Sequence, residues 1–401
     1  MKTSTRIIGI SAGMVAALVW LVECASLPRL EAVPEAETEM AEVPGIPLAR
    51  QWTDRDIRPF IDRVVRDSQH EADALRREGK AADPLPPANV LAISGGGDAG
   101  AFSAGLLAGW SARGDRPQFK AVTGISAGAL IAPFAFLGPE YDGVIRIIAT
   151  TSGPSDIARR RNLLIGLTSD GMASNEPLAR LIARYVTAEV LEAIAREHAR
   201  GRVLIIGTTD LDAARQVTWN MGEIASSQSP RALELFRKVI LASTSVPGMV
   251  SPVLFDVEAS GRRYQEMHVD GAVISQVFLY PASFLVEFKR TTGQPLSREI
   301  HSFVIRNGRL DPDWSSTERR TLTIGARAIL TVGQTQGIND VRRLYEIARR
   351  DKVDFNLAYI GTDFDAPHVE DFDTTYMKKL FDYGYDLSVS GQQWHKTPPT
   401  E

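Results

Sequence analysis

From Leu85 onward, short apolar runs rich in Val, Ile and Leu alternate with longer stretches of helical spacing. Runs of this kind suit strands buried on both faces, and the helices between them supply the crossovers that parallel strands require. The pattern predicts strands over Val90–Ser94, Phe119–Thr123, Arg202–Thr208, Met267–Asp270, His301–Arg306 and Phe355–Ile360. It predicts helices over Ala99–Ala112, Leu178–Val186, Arg231–Ser243, Thr321–Val332, Asp340–Arg350 and Thr375–Ser388. The expected fold class is α/β, in three layers: a mostly parallel central sheet with helices on both faces. In such sheets ligands gather outside the carboxyl ends of the strands, so motifs at those ends carry the most weight.

The segments before this domain divide by composition. Lys2 and Arg6 precede the apolar run Ile7–Val22, the layout of an export signal, so residues 1–25 are expected to direct the chain out of the cytoplasm. An uncleaved membrane anchor is the other reading. Cys24 is the single cysteine, which excludes a disulfide within one molecule. It is either a lone cysteine at the edge of the signal or a lipidation site. "LVEC" at Leu21–Cys24 resembles a bacterial lipoprotein cleavage box, with Glu23 where that box takes a small residue. The expected location is the bacterial cell envelope, either periplasmic or tethered to a membrane as a lipoprotein.

Residues 26–50 are rich in Pro, Glu and Ala without a period, a linker composition expected to be extended and solvated. Residues 51–84 are heavily charged, with Ile57, Phe60, Ile61, Val64 and Val65 spaced for an amphipathic helix. That helix either packs on the main domain or lies on a membrane surface. The main domain is expected over 85–395, with a short tail at 396–401. The formal net charge of −4 leaves no electrostatic footprint for nucleic acid. No cluster of metal ligands stands out along the sequence, and no cofactor is expected.

The pentapeptide "GISAG" occurs at Gly9–Gly13 and again at Gly124–Gly128. Both match G-x-S-x-G, the pattern that sets a nucleophilic serine on a sharp strand-to-helix turn. The first copy lies inside the apolar N-terminal run, where no base or oxyanion donor can be assembled around Ser11. The second follows a predicted strand and opens a predicted helix. Gly124 and Gly128 remove side chains that would crowd a tight elbow. Ser126 then stands at a helix start, where the dipole favours a developing negative charge. A glycine-rich turn with a capping serine is the plainer reading of the same residues.

Upstream, "ISGGGDAG" ends a predicted strand in three glycines, Gly95, Gly96 and Gly97, whose N–H groups can converge into an anion-binding nest. Such a nest suits a phosphate or the oxyanion of acyl transfer. The spacing matches neither a dinucleotide fingerprint nor a P-loop. Downstream, "VDGAV" places Asp270 at a strand end, followed by Gly271 and Ala272. A carboxylate buried there beside Ser126 would have its pKa raised towards a value useful for a general base. Asp-Gly is also an ordinary turn pair.

Taken in order, "GGGDAG", "GISAG" and "DGA" resemble the patatin-like phospholipase family. "ASTSVP" at Ala242–Pro247, "GTTDLD" at Gly207–Asp212 and the stretch Phe372–Trp394 add to the likeness. The resemblance implies Ser126 as nucleophile and Asp270 as base of a Ser-Asp dyad, with Gly95, Gly96 and Gly97 supplying the oxyanion hole. The family's oxyanion loop usually carries Arg or Lys just before its last glycine. This chain has Ala99 there, preceded by Asp98, so that positive charge is missing.

The expected function is a serine lipid acyl hydrolase of phospholipase A or lysophospholipase type, with a lipid or acyl ester as substrate and a membrane surface as partner. One alternative is an α/β-hydrolase with a Ser-Asp-His triad, for which His301, His368 and His395 are available. His268 shares the strand face of Asp270, close enough to tune it. The other alternative is a non-catalytic lipid-binding protein of the envelope.

Overall fold

The computed structural model describes residues 27–399, apart from 55, 163, 164, 166, 167, 313 and the side chain of residue 322. The signal segment with Cys24, and the last two residues of the tail, lie outside the described residues. Twelve strands are described: β1 (Arg50–Trp52), β2 (Ala88–Ile93), β3 (Ala121–Gly124), β4 (Arg159–Arg160), β5 (Gly171–Ser174), β6 (Val203–Asp210), β7 (Arg215–Asn220), β8 (Gly248–Val250), β9 (Val253–Ala259), β10 (Arg262–Asp270), β11 (Ile300–Arg306) and β12 (Asp354–Tyr359). Nine form the central sheet, in the order β1-β7-β6-β3-β2-β11-β12, with β10 also on β6 and β9 on β10; β4, β5 and β8 form a small separate sheet.

The middle of the sheet, β6-β3-β2-β11-β12, is parallel throughout. Its residues alternate between two cores. Leu91, Ile93, Phe303 and Ile305 enter the larger one, beneath the helices Gly100–Arg113, Ala127–Leu137 and Thr374–Val389. Ala92, Val304, Phe355 and Leu357 enter the other, with Val341, Leu344 and Ala348 of the helix Thr321–Asp351. Both faces are therefore covered, which is why these strands read as unbroken apolar runs. The α/β three-layer expectation holds.

The remaining strands of the central sheet are antiparallel, and here the sequence reading falls short. β7 and β9 were not expected, and β10 begins at Arg262, well before Met267. In β9, Val253, Phe255, Val257 and Ala259 are buried while the residues between them are more exposed. That period-two pattern is the signature of a sheet with one wetter face, and a search for continuous apolar runs passes over it.

The pairing of β6 decides where the chemistry can sit. β7 occupies one edge of β6 over Ile205–Asp210. The other edge is shared: β3 runs parallel to it as far as Gly124 opposite Ile206, and β10 arrives antiparallel with Asp270 opposite Thr208. β3 and β10 thus meet end to end, carboxyl end against carboxyl end, along a single edge.

Two predicted helices, Thr321–Val332 and Asp340–Arg350, are one continuous helix, Thr321–Asp351. Gly333 and Gly337 suggest a break between them, since glycine inside a helix costs roughly 1 kcal/mol. Tertiary contact overrides this. A Cβ on Gly337 would lie 2.6 Å from the guanidinium carbon of Arg306, so the packing requires the missing side chain.

The segment expected to be a solvated linker is instead docked on the domain. Val33, Ala41, Val43, Ile46 and Ala49 are buried in the main core, and Arg29 pairs with Asp212 at 2.7 Å. These residues follow no regular period because the segment forms no long element, which hides them in the composition. The next helix, Arg58–Arg77, packs Ile57, Phe60, Ile61, Val64 and Val65 against Phe284 and Phe288. Among the described residues, no helix is long and apolar enough to cross a membrane.

Candidate active site

Ser126 stands between β3 and the helix Ala127–Leu137 with φ 54° and ψ −123°. A non-glycine residue in that region stores roughly 1–3 kcal/mol of strain, which the surroundings must hold. They do so through close approach. A Cβ on Gly128 would overlap the Ile93 carbonyl oxygen, and one on Gly124 would lie 2.6 Å from the Gly128 oxygen. The turn therefore stays tight only with glycine on both sides of the serine. Ser126 is 8% exposed, and its N–H donates to Ser243 Oγ at 3.0 Å. Ser243 Oγ donates in turn to the Gly207 carbonyl at 2.7 Å.

At the meeting of the two strand ends, Ser126 Oγ donates to Asp270 Oδ2 at 2.6 Å. Asp270 Oδ1 accepts from the Ala272 N–H at 2.8 Å, and the Asp270 N–H donates to the Ser245 carbonyl. Burial pushes the Asp270 carboxyl up to about 7, against the hydrogen bonds from Ser126 and Ala272, which favour the ionised form. One short stretch, Ser243–Ser245, thus braces both residues, through the Ser126 N–H and the Asp270 N–H. Ser243→Ala would leave the Ser126 N–H and the Gly207 carbonyl unpaired in a buried setting. The expected cost is about 1–3 kcal/mol, read as a lowered midpoint in urea unfolding.

The glycine loop follows β2. The Gly95 N–H donates to the Gln276 carbonyl at 3.0 Å. Among the described residues nothing accepts from the Gly96 or Gly97 N–H, and both glycines are exposed. The Gly95 carbonyl points the opposite way, accepting from Ser94 Oγ at 2.7 Å and from Arg306 Nη1 at 3.2 Å. Because a trans peptide is planar, holding that carbonyl inwards turns the Gly96 N–H of the same unit outwards. Gly96 has φ 156°, and a Cβ there would overlap the Asn307 carbonyl oxygen.

Arg306 lies at the carboxyl end of β11 and is 4% exposed. Its hydrogen bonds are long and go to neutral groups: the Ser94 Oγ at 3.4 Å, Gln276 Oε1 at 3.5 Å and Gln334 Oε1 at 3.4 Å, besides Gly95. Its Nε finds no partner among the described residues. Burial lowers its pKa to about 10, against the attraction of Asp340, so it stays cationic at neutral pH. A buried cation thus sits behind the loop in which Ala99 takes the place of the expected base. The sequence reading missed Arg306 and Asn307. Their one signal was position, at the carboxyl end of a predicted strand.

The histidines are placed elsewhere. His368 Nε2 bonds Asp98 Oδ2 at 2.7 Å, and the Phe372 N–H donates to the same oxygen at 2.8 Å, fastening the glycine loop to the segment before the helix Thr374–Val389. His301 lies in the amino-terminal half of β11, and His395 bridges Leu357. His268 is buried between Thr208 Oγ1 at 2.8 Å and Glu266 Oε2 at 3.2 Å. Asp210, Glu266 and His268 bring ligand atoms within 4.8 Å of one another. Arg50, however, donates to both Glu266 oxygens, and Asp210 accepts from the Asp212 and Ala213 N–H groups. The group reads as an ion-pair network tying β1 to β10.

Residues 91–283, which span the glycine loop, the elbow and Asp270, match the family model of patatin-like phospholipases. The chain carries a patatin-like phospholipase domain. Solved structures similar to it include VipD from Legionella pneumophila, at 12% identity and a TM-score of 0.32, covering 76% of this chain and 66% of that one. Human GIVD cytosolic phospholipase A2 is similar at 10% identity and a TM-score of 0.33, covering 86% and 65%. The chain spans just under two thirds of the length of each. No curated protein matches it by sequence. β11, with Arg306 and Asn307, lies beyond the matched residues.

Proposed function

We propose that the protein is a serine hydrolase of lipid acyl esters that works through a Ser126–Asp270 dyad. The observation that carries this reading is the 2.6 Å hydrogen bond from Ser126 Oγ to a buried carboxylate with no histidine between them. Asp270, with a pKa near 7, accepts the Ser126 proton as Oγ attacks the acyl carbonyl carbon. The Gly96 and Gly97 N–H groups then receive the oxyanion. Asp270 returns the proton to the departing alcohol as the carbon–oxygen bond breaks. Water, deprotonated by Asp270, attacks the acyl-enzyme and releases the fatty acid, restoring Ser126.

Arg306 acts through the loop in this reading. It holds the Gly95 carbonyl inwards, so that the Gly96 N–H stays aimed outwards, and its charge favours a developing anion above it. The enzyme works at a membrane surface, and the basic head and apolar run at residues 2–22 support an exported, envelope-bound location. A histidine triad lacks support because no histidine bonds Ser126 or Asp270 among the described residues.

Labelling by a fluorophosphonate probe tests the reading. Label is expected on the parent, absent from Ser126→Ala, sharply reduced in Asp270→Asn and retained when His301, His368 and His395 are all changed to Ala. Labelling that needs one of those histidines would replace the dyad with a triad. A folded parent that takes no label would favour the lipid-binding alternative.

A further inference from the structure

The helix Thr321–Asp351 is far longer than its place in the fold requires. It joins the parallel neighbours β11 and β12, whose strands span about 20 Å, whereas its 31 residues reach about 46 Å. Its later turns fill the core with Val341, Leu344 and Ala348. Since it follows the carboxyl end of β11 and runs back towards the start of β12, the surplus turns stand above the carboxyl edge of the sheet, where Ser126 and Asp270 lie. Contacts confirm the neighbourhood: Gln336 Nε2 donates to the Ile274 carbonyl, four residues after Asp270, and Gln334 Oε1 accepts from Arg306.

On this projecting part Ile324 is 52% exposed, and Ile329, Leu330 and Val332 are each 66% exposed. At about 100° per residue they fall near 0°, 140°, 240° and 80° around the axis, so exposed apolar side chains cover about two thirds of the circumference, and Thr323, Arg327 and Thr331 fall in the rest. An exposed apolar arc this wide suits an apolar surrounding, whereas a helix docking on another protein needs only a stripe of roughly 100°. Between Glu318 and Asp340 there is no acidic residue, while Arg319, Arg320 and Arg327 lie within or beside the segment. Trp314, 87% exposed, precedes it, and Val273 and Ile274 are exposed at its foot. An exposed apolar helix with an amphipathic ring and arginines beside it, and no acidic residue, fits the boundary between acyl chains and anionic headgroups.

We infer that residues 321–332 enter a lipid surface and set the mouth of the Ser126–Asp270 site against it. The inference rests on the lipid hydrolase reading for its purpose, but its test does not need activity. In the full chain, Cys24→Ser removes the single cysteine and Leu330→Cys introduces one for an environment-sensitive nitrobenzoxadiazole label. Vesicles of phosphatidylcholine, with and without phosphatidylglycerol, are then added. The label is expected to brighten and shift to the blue, more so with the anionic lipid.

A second variant combines Ile324→Ser, Ile329→Ser, Leu330→Ser and Val332→Ser. It is expected to hydrolyse vesicle lipid at least about tenfold more slowly while keeping its rate on dissolved nitrophenyl butyrate. A label that stays in water while the chain is bound to vesicles would overturn the inference. So would a label already shielded without lipid in a dimer that the serine variant dissolves. If the parent hydrolyses nothing but the label still enters lipid, the hydrolase reading fails and the docking surface stands.

Discussion

Asp270→Asn is expected to lower kcat for ester hydrolysis by roughly 10³–10⁴ and to make the folded protein more stable above neutral pH. Both effects come from one feature, a carboxyl buried with only two hydrogen-bond donors. Asparagine can still accept from the Ala272 N–H and meet the Ser126 hydroxyl, but it cannot take the proton. The stability effect has a definite sign. Burial raises the folded pKa from 3.8 to about 7, so the native state holds a proton that the unfolded chain has released. Asp270 therefore contributes its stability in full below about pH 4 and loses it as the pH climbs through about 7. The whole span is on the order of 4 kcal/mol, and asparagine removes that loss. Thermal unfolding at pH 4 and pH 8 would show it: Asp270→Asn should gain several degrees over the parent at pH 8 and little at pH 4. The parent's kcat should rise with pH through the same region, because the base must be ionised. A variant destabilised at pH 8, or a parent with no such rise, would remove Asp270 from the role of base.

The second large effect is expected at Arg306. Arg306→Ala should reduce kcat by about 10²–10³ with little change in KM, the scale seen when a donor to a developing oxyanion is lost. A role confined to packing predicts something else, a loss of folded protein with normal kinetics in what remains. Two further readings separate these. Arg306 sits where a Cβ on Gly308 would lie 3.1 Å, and one on Gly337 2.6 Å, from its guanidinium carbon, so alanine leaves a slot shaped for a guanidinium group. Millimolar guanidinium should restore part of the rate in Arg306→Ala and do nothing for the parent. Arg306→Lys should retain part of it through charge alone, without the reach to both Ser94 and Gly95. Stability should fall modestly, since the arginine is buried without a close carboxylate and its removal relieves a desolvated charge. An Arg306→Ala protein with full kcat would confine the residue to packing.

Much of this site could be read from local sequence because its parts obey local rules. The Gly124–Gly128 elbow needs two glycines for close approach, the glycine loop needs residues free of Cβ, and each follows a strand whose apolar run declares it. What escaped has no local signature. An arginine at a strand end is ordinarily solvated, and nothing near Arg306 in sequence says that it turns under a loop some two hundred residues earlier. Ser243 and Ser245 likewise sit in a recognisable stretch, yet their bracing roles depend on which backbone groups pass beside them. The docked segment at 33–49 was misread because scattered small apolar residues in a Pro- and Glu-rich stretch look like a linker until a surface is present to receive them.

The sequence by itself determined the parallel α/β core, the strained serine turn and an aspartate at a strand end. Only the tertiary structure decided that these meet. β3 and β10 have no local preference for one another; each pairs with β6, one parallel and one antiparallel, and the register of those two ladders sets Gly124 opposite Ile206 and Asp270 opposite Thr208. Hydrogen-bond registers across a sheet are settled by the packing of the whole domain. That packing is what closes a separation of 144 residues to 2.6 Å.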